Sequence, residues 1–500
     1  MRISSRSEFW LKLVAVVGLL IGALLRCYRA YALVLDPDEA LHLLPCYATS
    51  LREAITYFRQ DAHPPFYSAV TCLLRPLLYS EFEARLLAVV AGALLPVILY
   101  FWLRERIGLV GASTALMLTA LAPSLVEVSA EVRTYSLALL FTALTLMWFD
   151  QGLDGLRLDR LALSGSALVL GILTDYSVVI VCPAIVLYGF ARLWEIRAPR
   201  RIYLYWACIV LLALGTFAAL YWFHIRRLGI SPSSFGQTWL RDGFRQPGQP
   251  LIPFVADALL KQFSFITGTI AHGALLAALF LLALPAATRA WRILLLAPFV
   301  TGVVLSLLDL FAFGRSRHSS VIAIVIAAGL GLVAQRWLTV RSRILPLGIP
   351  LIVVTCFMLA PDDRPHEEPD KYEVQAMHDA PEYIASVAPP GTFVLATGQA
   401  KFLVDAYRAM TKKPPLPVET VDNWWSEPAQ FTPALAQFRQ RHSVPQNEPI
   451  LFVEGGFSSF EFPHSKPASP LRTFGSIRVW AIQEYGNATP AVSPPSPPPR

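Results

Sequence analysis

The stretch PPFYSAVTCLLRPLLY, residues 64–79, decides how the rest of the chain is read. It is apolar, yet it is short for a crossing, carries Arg75 and is interrupted by Pro64, Pro65 and Pro76. A helix that spans a bilayer needs about 20 predominantly apolar residues. Positive residues near span ends stay on the cytoplasmic side. If the stretch lies along the surface, the short inner loops hold Arg104, Arg106, Arg157, Arg160, Arg192, Arg197, Arg200, Arg201, Arg289, Arg292, Arg336, Arg341 and Arg343. The short outer loops then hold only Arg133, Arg315 and Arg317. If it crosses, that bias inverts. We therefore read it as a juxtamembrane helix on the outer side.

Composition agrees with a membrane setting. The chain has 500 residues, 55% of them hydrophobic and 15% charged, where a soluble chain carries about 25% charged residues. The apolar excess must face lipid, which excludes disorder, collagen and a secreted disulfide scaffold as the main architecture. Apolar runs begin near residues 9, 84, 109, 134, 161, 176, 202, 266, 292, 319 and 344, so the pattern predicts a multi-pass α-helical protein of about 11 spans. The runs at 161 and 176 are short and nearly continuous, which predicts a broken or tightly paired hairpin. Arg2 and Arg6 precede the first run with no small-residue cleavage site after it, so it reads as a retained span.

Residues 1–360 are thus predicted to form the transmembrane domain, with a first outer loop over about 32–83. Residues 361–487 gain charges, prolines and short alternating segments (Thr392 to Thr397, Ile450 to Glu454, Ser476 to Ile482), which predict a small α/β extracytoplasmic domain. Residues 488–500, mostly Pro and Ser, predict a disordered tail. The net charge of +7 is spread as punctuation between apolar runs instead of forming one basic face, so nucleic acid is not an expected partner. Most of the six cysteines sit inside apolar runs, where a small buried hydrophobe is the default reading. Cys46 and Cys72 share the first outer loop, where the alternative is a bridge.

Ionisable groups near a bilayer are costly to retain, so polar clusters on the outer side are the candidates for chemistry. Asp36, Asp38 and Glu39 follow the first span directly. Three carboxylates so close suit a general base or a cation site, or else a capped helix start near Ala40. His63 is held by Pro64 and Pro65 at the start of the surface helix. Glu131, Arg133 and Tyr135 lie in the next outer loop, where they would bind a sugar hydroxyl or phosphate or form a solvated turn. Arg315, Arg317 and His318 place positive charge on the disfavoured side, where guanidinium groups suit a leaving phosphate or anionic headgroups. Asp175 and Tyr176 are a weaker feature at the junction of the two short runs.

These residues resemble a known family, the GT-C-type membrane glycosyltransferases that use polyprenyl-phosphate-linked sugars. It includes the protein mannosyltransferases and the bacterial aminoarabinose transferases. The resemblance is carried by Asp38-Glu39, by His63-Pro64-Pro65-Phe66-Tyr67 and by Glu83-Ala84-Arg85-Leu86. Glu131-Val132-Arg133-Thr134-Tyr135 and Arg317-His318 follow in the family's order. It implies a transferase whose active site opens to the outer face, with the first loop supplying the catalytic acid residue, a place that Asp38 matches with Glu39 beside it. It also implies a location in a bacterial inner membrane. No cofactor is certain. A divalent metal ion is the candidate, although Ala62 stands where the aminoarabinose enzymes have a glutamate.

The expected reaction is a single displacement with inversion. Asp38 accepts a proton from a protein, lipid or glycan acceptor, Arg315, Arg317 or His318 hold the leaving polyprenyl phosphate, and His63 and Glu131 orient sugar or acceptor. Membrane lipid is the other expected partner. The alternatives are a transporter or flippase of lipid-linked sugars, which would carry mid-span ionisable groups and a repeat in two halves, and a non-catalytic receptor.

Overall fold

The computed structural model describes residues 5–228, 240–314, 316–341, 371–388, 393–421, 428–446, 448–455 and 471–482. Two compact units divide the chain. The first comprises Met1–Ala30, Arg59–Val70 and Arg85–His366, and the second Tyr31–Phe58, Thr71–Ala84 and Glu367–Arg500.

The helices that run into the first unit begin with α1 (Ser5–Ala32), α4 (Phe66–Leu73), α5 (Glu81–Arg106), α6 (Leu109–Leu121), α7 (Pro123–Glu127) and α8 (Tyr135–Asp154). Then come α9 (Leu158–Thr174), α10 (Cys182–Glu195), α11 (Arg200–Phe223), α12 (Leu251–Thr267), α13 (Ile270–Leu281), α14 (Arg289–Leu307) and α15 (Ala323–Arg341). Among the described residues six helices are long and apolar enough to cross a membrane, or seven if the bent pair α12–α13 counts as one.

The predicted count of 11 is therefore not confirmed among the described residues. Three of the apolar runs form α6, α9 and α10, of 13, 17 and 14 residues, which rise only about 20–25 Å at 1.5 Å per residue. The run expected from residue 266 forms the second arm of a pair bent by 105°. The run expected from residue 344 lies outside the described residues. Of the predicted broken or tightly paired hairpin, the structure shows the break: a 3-10 turn at Tyr176–Ile180 separates α9 from α10, and α9 packs chiefly on α8 and α11 while α10 packs on α14. The 64–79 stretch forms the eight-residue α4 and a 3-10 turn at Arg75–Leu77, too short to cross.

One end of the first unit is organised by a buried carboxylate. Asp150 is fully inaccessible and accepts from Trp102 Nε1 at 2.8 Å and from the Tyr188 hydroxyl at 2.9 Å. Arg106 and Arg192 each approach it to 3.5 Å from α5 and α10. Because α5, α8 and α10 meet there, removing the acid leaves Trp102 and Tyr188 without their buried acceptor and the two guanidinium groups with only the outlying Asp154 and Glu195 as counter-charges. Asp150→Ala is expected to lower unfolding stability by about 3–5 kcal/mol, read as a fall in thermal midpoint in detergent.

The second unit joins helices α2 (Pro37–Tyr47) and α3 (Leu51–Gln60) to α16 (Lys371–Val387), α17 (Gly398–Met410) and α18 (Pro428–His442). It also holds strands β1 (Val394–Ala396), β2 (Val418–Thr420), β3 (Ile450–Glu454), β4 (Arg472–Phe474) and β5 (Ile477–Ile482). The sheet order is β2-β1-β3-β5-β4, parallel across the first three and antiparallel across the last. In register, Leu395 faces Phe452 and Phe452 faces Trp480, and these residues meet Leu435 and Phe438 of α18 in one core. The tail at 488–500 lies outside the described residues.

Cys46 and Cys72 are bridged, with Cα atoms 4.5 Å apart. The bridge closes a loop of 26 residues, which in the chain-entropy account stabilises by about 3 kcal/mol. The Cys46→Ser, Cys72→Ser double variant is expected to lose about that much, measured as the difference in denaturation midpoint between oxidised wild type and variant.

Candidate active site

Within the first unit, three loops are turned by the same local device. Asp61 Oδ1 accepts the His63 backbone N–H at 2.9 Å, Asp175 Oδ1 accepts that of Ser177 at 2.7 Å, and Ser316 Oγ accepts that of His318 at 3.2 Å. In each, a short polar side chain bonds to the backbone two residues on, which closes the turn without help from a helix. The turns present His63, Tyr176, and Arg317 with His318.

These loops meet at Tyr135, the first residue of α8. Its hydroxyl lies 3.3 Å from His318 Nδ1, and its ring stands edge-on to His318 and His63, with centroids 5.8 and 6.1 Å away. The Arg317 guanidinium sits 6.0 Å from the ring centre and donates to Glu131 Oε2 at 3.2 Å. Arg133 is buried beside them and acts electrostatically on Tyr135. Asp61 Oδ1 also lies 3.0 Å from His63 Nδ1. Thr134 donates its hydroxyl to buried Asp175, and the Tyr176 hydroxyl lies 2.6 Å from His224 Nδ1. Asp61 and Asp175 are both close enough to act on the Tyr176 phenol.

The first unit thus brings together five of the predicted site residues and Arg133 beside them: His63, Glu131, Tyr135, Arg317 and His318. Arg315 lies outside the described residues. The sequence reading did not single out Asp61 or His224, and it named Thr134 only within the Glu131–Tyr135 motif. Asp61 had a usable signal, an Asx position two residues before His63. His224 had none, since it is 48 residues from its partner.

Asp38 and Glu39 belong to the second unit. Asp36 is the N-cap of α2: its carboxylate accepts the Glu39 N–H at 2.7 Å, and Glu39 returns the bond to the Asp36 N–H at 3.1 Å. This capping box assigns two of the three carboxylates to the helix start. Asp38 takes no part in the box and stays partly exposed on the first turn. Just before the cap, the Leu35 N–H donates to the Tyr407 hydroxyl at 3.2 Å, and α2 packs along α17. The helix bearing Asp38 is thus seated on the C-terminal α/β fold.

The same unit contains His378, whose Nε2 lies 2.9 Å from Glu81 Oε1. The Glu81 carboxylate raises the imidazole pKa above its ordinary value, against the opposing effect of burial. A raised histidine contributes stability that is full below about pH 6.5 and is lost as pH climbs through the folded-state value. Wild type is expected to lose up to about 1 kcal/mol more than His378→Gln between pH 6 and pH 8.5, compared by thermal melts at the two pH values.

Residues 62–222 match the family of dolichyl-phosphate-mannose-protein mannosyltransferases. No curated protein matches the chain in sequence. Among solved structures, ArnT from Cupriavidus metallidurans in the apo state is similar with a TM-score of 0.56 and 14% identity, over 97% of this chain and 100% of that one. The same protein bound to undecaprenyl phosphate gives 0.55 and 14%, over 95% and 99%. The Archaeoglobus fulgidus oligosaccharyltransferase tethered with an acceptor peptide gives 0.47 and 13%, over 89% and 69%. The chain has the GT-C fold. The resemblance to polyprenyl-phosphate-sugar glycosyltransferases holds, and the matched segment contains His63, Glu131, Arg133, Tyr135, Tyr176 and the junction between them. It is an integral membrane protein by that fold and by its apolar helices.

Proposed function

We propose that the chain transfers a sugar from a polyprenyl-phosphate-linked donor to an acceptor on the extracytoplasmic side, with inversion. The observation that carries this reading is the cluster in which His63, Glu131, Tyr135, Arg317 and His318 are joined by contacts from three separate loops. Cationic and hydrogen-bonding groups so arranged suit a phosphate that gains charge as it leaves. The match over residues 62–222 and the binding of undecaprenyl phosphate by the ArnT of similar fold support a lipid-phosphate donor.

In the proposed step an acceptor hydroxyl or amine gives its proton to the Asp38 carboxylate and bonds to the anomeric carbon. The bond from that carbon to the phosphate oxygen breaks, and the electron pair departs on polyprenyl phosphate. Asp38 is assigned from its place in the motif order and from its separation from the capping box, while Glu39 serves the helix start that presents it. Arg317 holds the phosphate, with Glu131 fixing the guanidinium and His318 steadied by Tyr135. A divalent ion stays the candidate cofactor: in the first unit Asp61 and His63, whose facing atoms lie 3.0 Å apart, offer a carboxylate and an imidazole suited to hold one. The Cys46–Cys72 bridge supports an oxidising, extracytoplasmic setting for the first loop.

The test is transfer by purified protein from radiolabelled polyprenyl-phosphate sugars. Asp38→Asn is expected to lose about 10²–10⁴ in rate, and Arg317→Ala about 10²–10³ in kcat. Transfer by Asp38→Asn at the wild-type rate removes the proposed base.

A further inference from the structure

Arg26 is 1% exposed in the α1 span. Its guanidinium donates to Gly22 O at 2.9 Å, Ala120 O at 2.6 Å, Thr119 O at 2.9 Å and Ser129 Oγ at 3.3 Å. Among the described residues these partners are all uncharged oxygens. A buried cation without an acid is costly, so its neighbours must supply negative potential by other means.

The cause is the break after α6. Thr119 O would ordinarily receive the N–H four residues on, but that residue is Pro123, which has none. Ala122 is extended, at φ −56° and ψ 123°, so the helix ends there and its last carbonyls are left facing inward. Those carbonyls form the negative end of the helix dipole. Arg26 replaces the missing donors and takes its counter-charge from the same dipole. The close approach that allows this is set by glycine: a Cβ on Gly22 would stand 2.4 Å from Ala120 O, and one on Gly92 of α5 would stand 2.1 Å from Ser129 Oγ and 3.1 Å from Arg26 Nε.

Ser129 carries the effect onward. Its hydroxyl donates to Leu125 O, and the single Ser136 hydroxyl proton is shared between Ser129 Oγ at 3.2 Å and Val128 O at 3.0 Å. Both ends of the segment from 128 to 136 are thereby fixed to one buried guanidinium, and that segment presents Glu131, Arg133 and Tyr135. We infer that Arg26 is a positioning residue: it touches no reacting atom, and it holds the loop whose Glu131 orients Arg317. The kinetic part of this inference rests on the transferase reading; the structural part does not.

The experiment compares wild type, Arg26→Met, Arg26→Lys, Gly92→Ala and Ser129→Ala as full-length protein in detergent. Amide hydrogen exchange is read over residues 127–136, together with kcat and donor KM for a radiolabelled polyprenyl-phosphate sugar. Arg26→Met and Gly92→Ala are expected to speed exchange in that segment about tenfold with α9 and α14 unchanged, and to lower kcat by about 10–100-fold while donor KM stays within about threefold. Arg26→Lys, which keeps the charge and some donors, is expected to recover part of both. Unchanged exchange over 127–136 overturns the inference, as does a rise spread over every helix. Should Arg26→Met not fold, Ser129→Ala reads the same loop with the carbonyl bonds intact, and the same two results decide. Faster loop exchange in a protein whose wild type transfers no sugar supports the anchoring and overturns the transferase reading instead.

Discussion

Inside a bilayer no water is present to satisfy a backbone N–H or C=O, so every interruption of a helix must be repaired by the protein itself. That constraint governs the first unit. Arg26 repairs the break at Ala122–Pro123. Arg85, also fully buried, donates to Ala30 O at the end of α1. Gln262 of α12 donates to Ser319 O in the 3-10 segment that opens with Arg317 and His318. Each repair fixes the chain close to a helix end, beside loops that hold residues of the proposed site. The polar side chains that look expensive in a membrane protein are therefore of two kinds, those that mend the backbone and those that the mended backbone presents.

The same division runs through the carboxylates. Asp61 and Asp175 close turns and Asp36 and Glu39 close a helix start, whereas Glu131 pairs with Arg317. A cluster of acids in sequence is thus not a cluster of equivalent groups. Of the three acids after the first span, the box assigns two, and Asp38 is the one whose role is chemical in the proposed reaction.

Much of this was legible from residues alone. Charge bias and apolar length identified a multi-pass membrane protein, and strand patterning located β3 and β5. The motif order from Asp38 to His318 pointed to the GT-C fold. The span count of 11 is not confirmed among the described residues, because hydropathy registers apolar runs and not their lengths as helices or their bends: α6, α9 and α10 are apolar but short, and the α12–α13 pair turns by 105°. His224 was hidden because its partnership with Tyr176 depends on where α11 ends. The Cys46–Cys72 bridge was open to either reading, since spacing states only that two thiols share a loop. The packing of α2 on α17 was not foreseen either, because apolar matching between segments 350 residues apart leaves no local pattern.

The proposed reaction depends on sidedness: the basic ends of α5 and α10 must face the cytoplasm for the first loop and the Tyr135 cluster to work outside it. Paired reporter fusions at Arg104 and Arg197 measure this most directly. The account predicts a fluorescent, cytoplasmically active reporter at both positions and an inactive alkaline phosphatase. Active alkaline phosphatase at both, with no fluorescence, would contradict it.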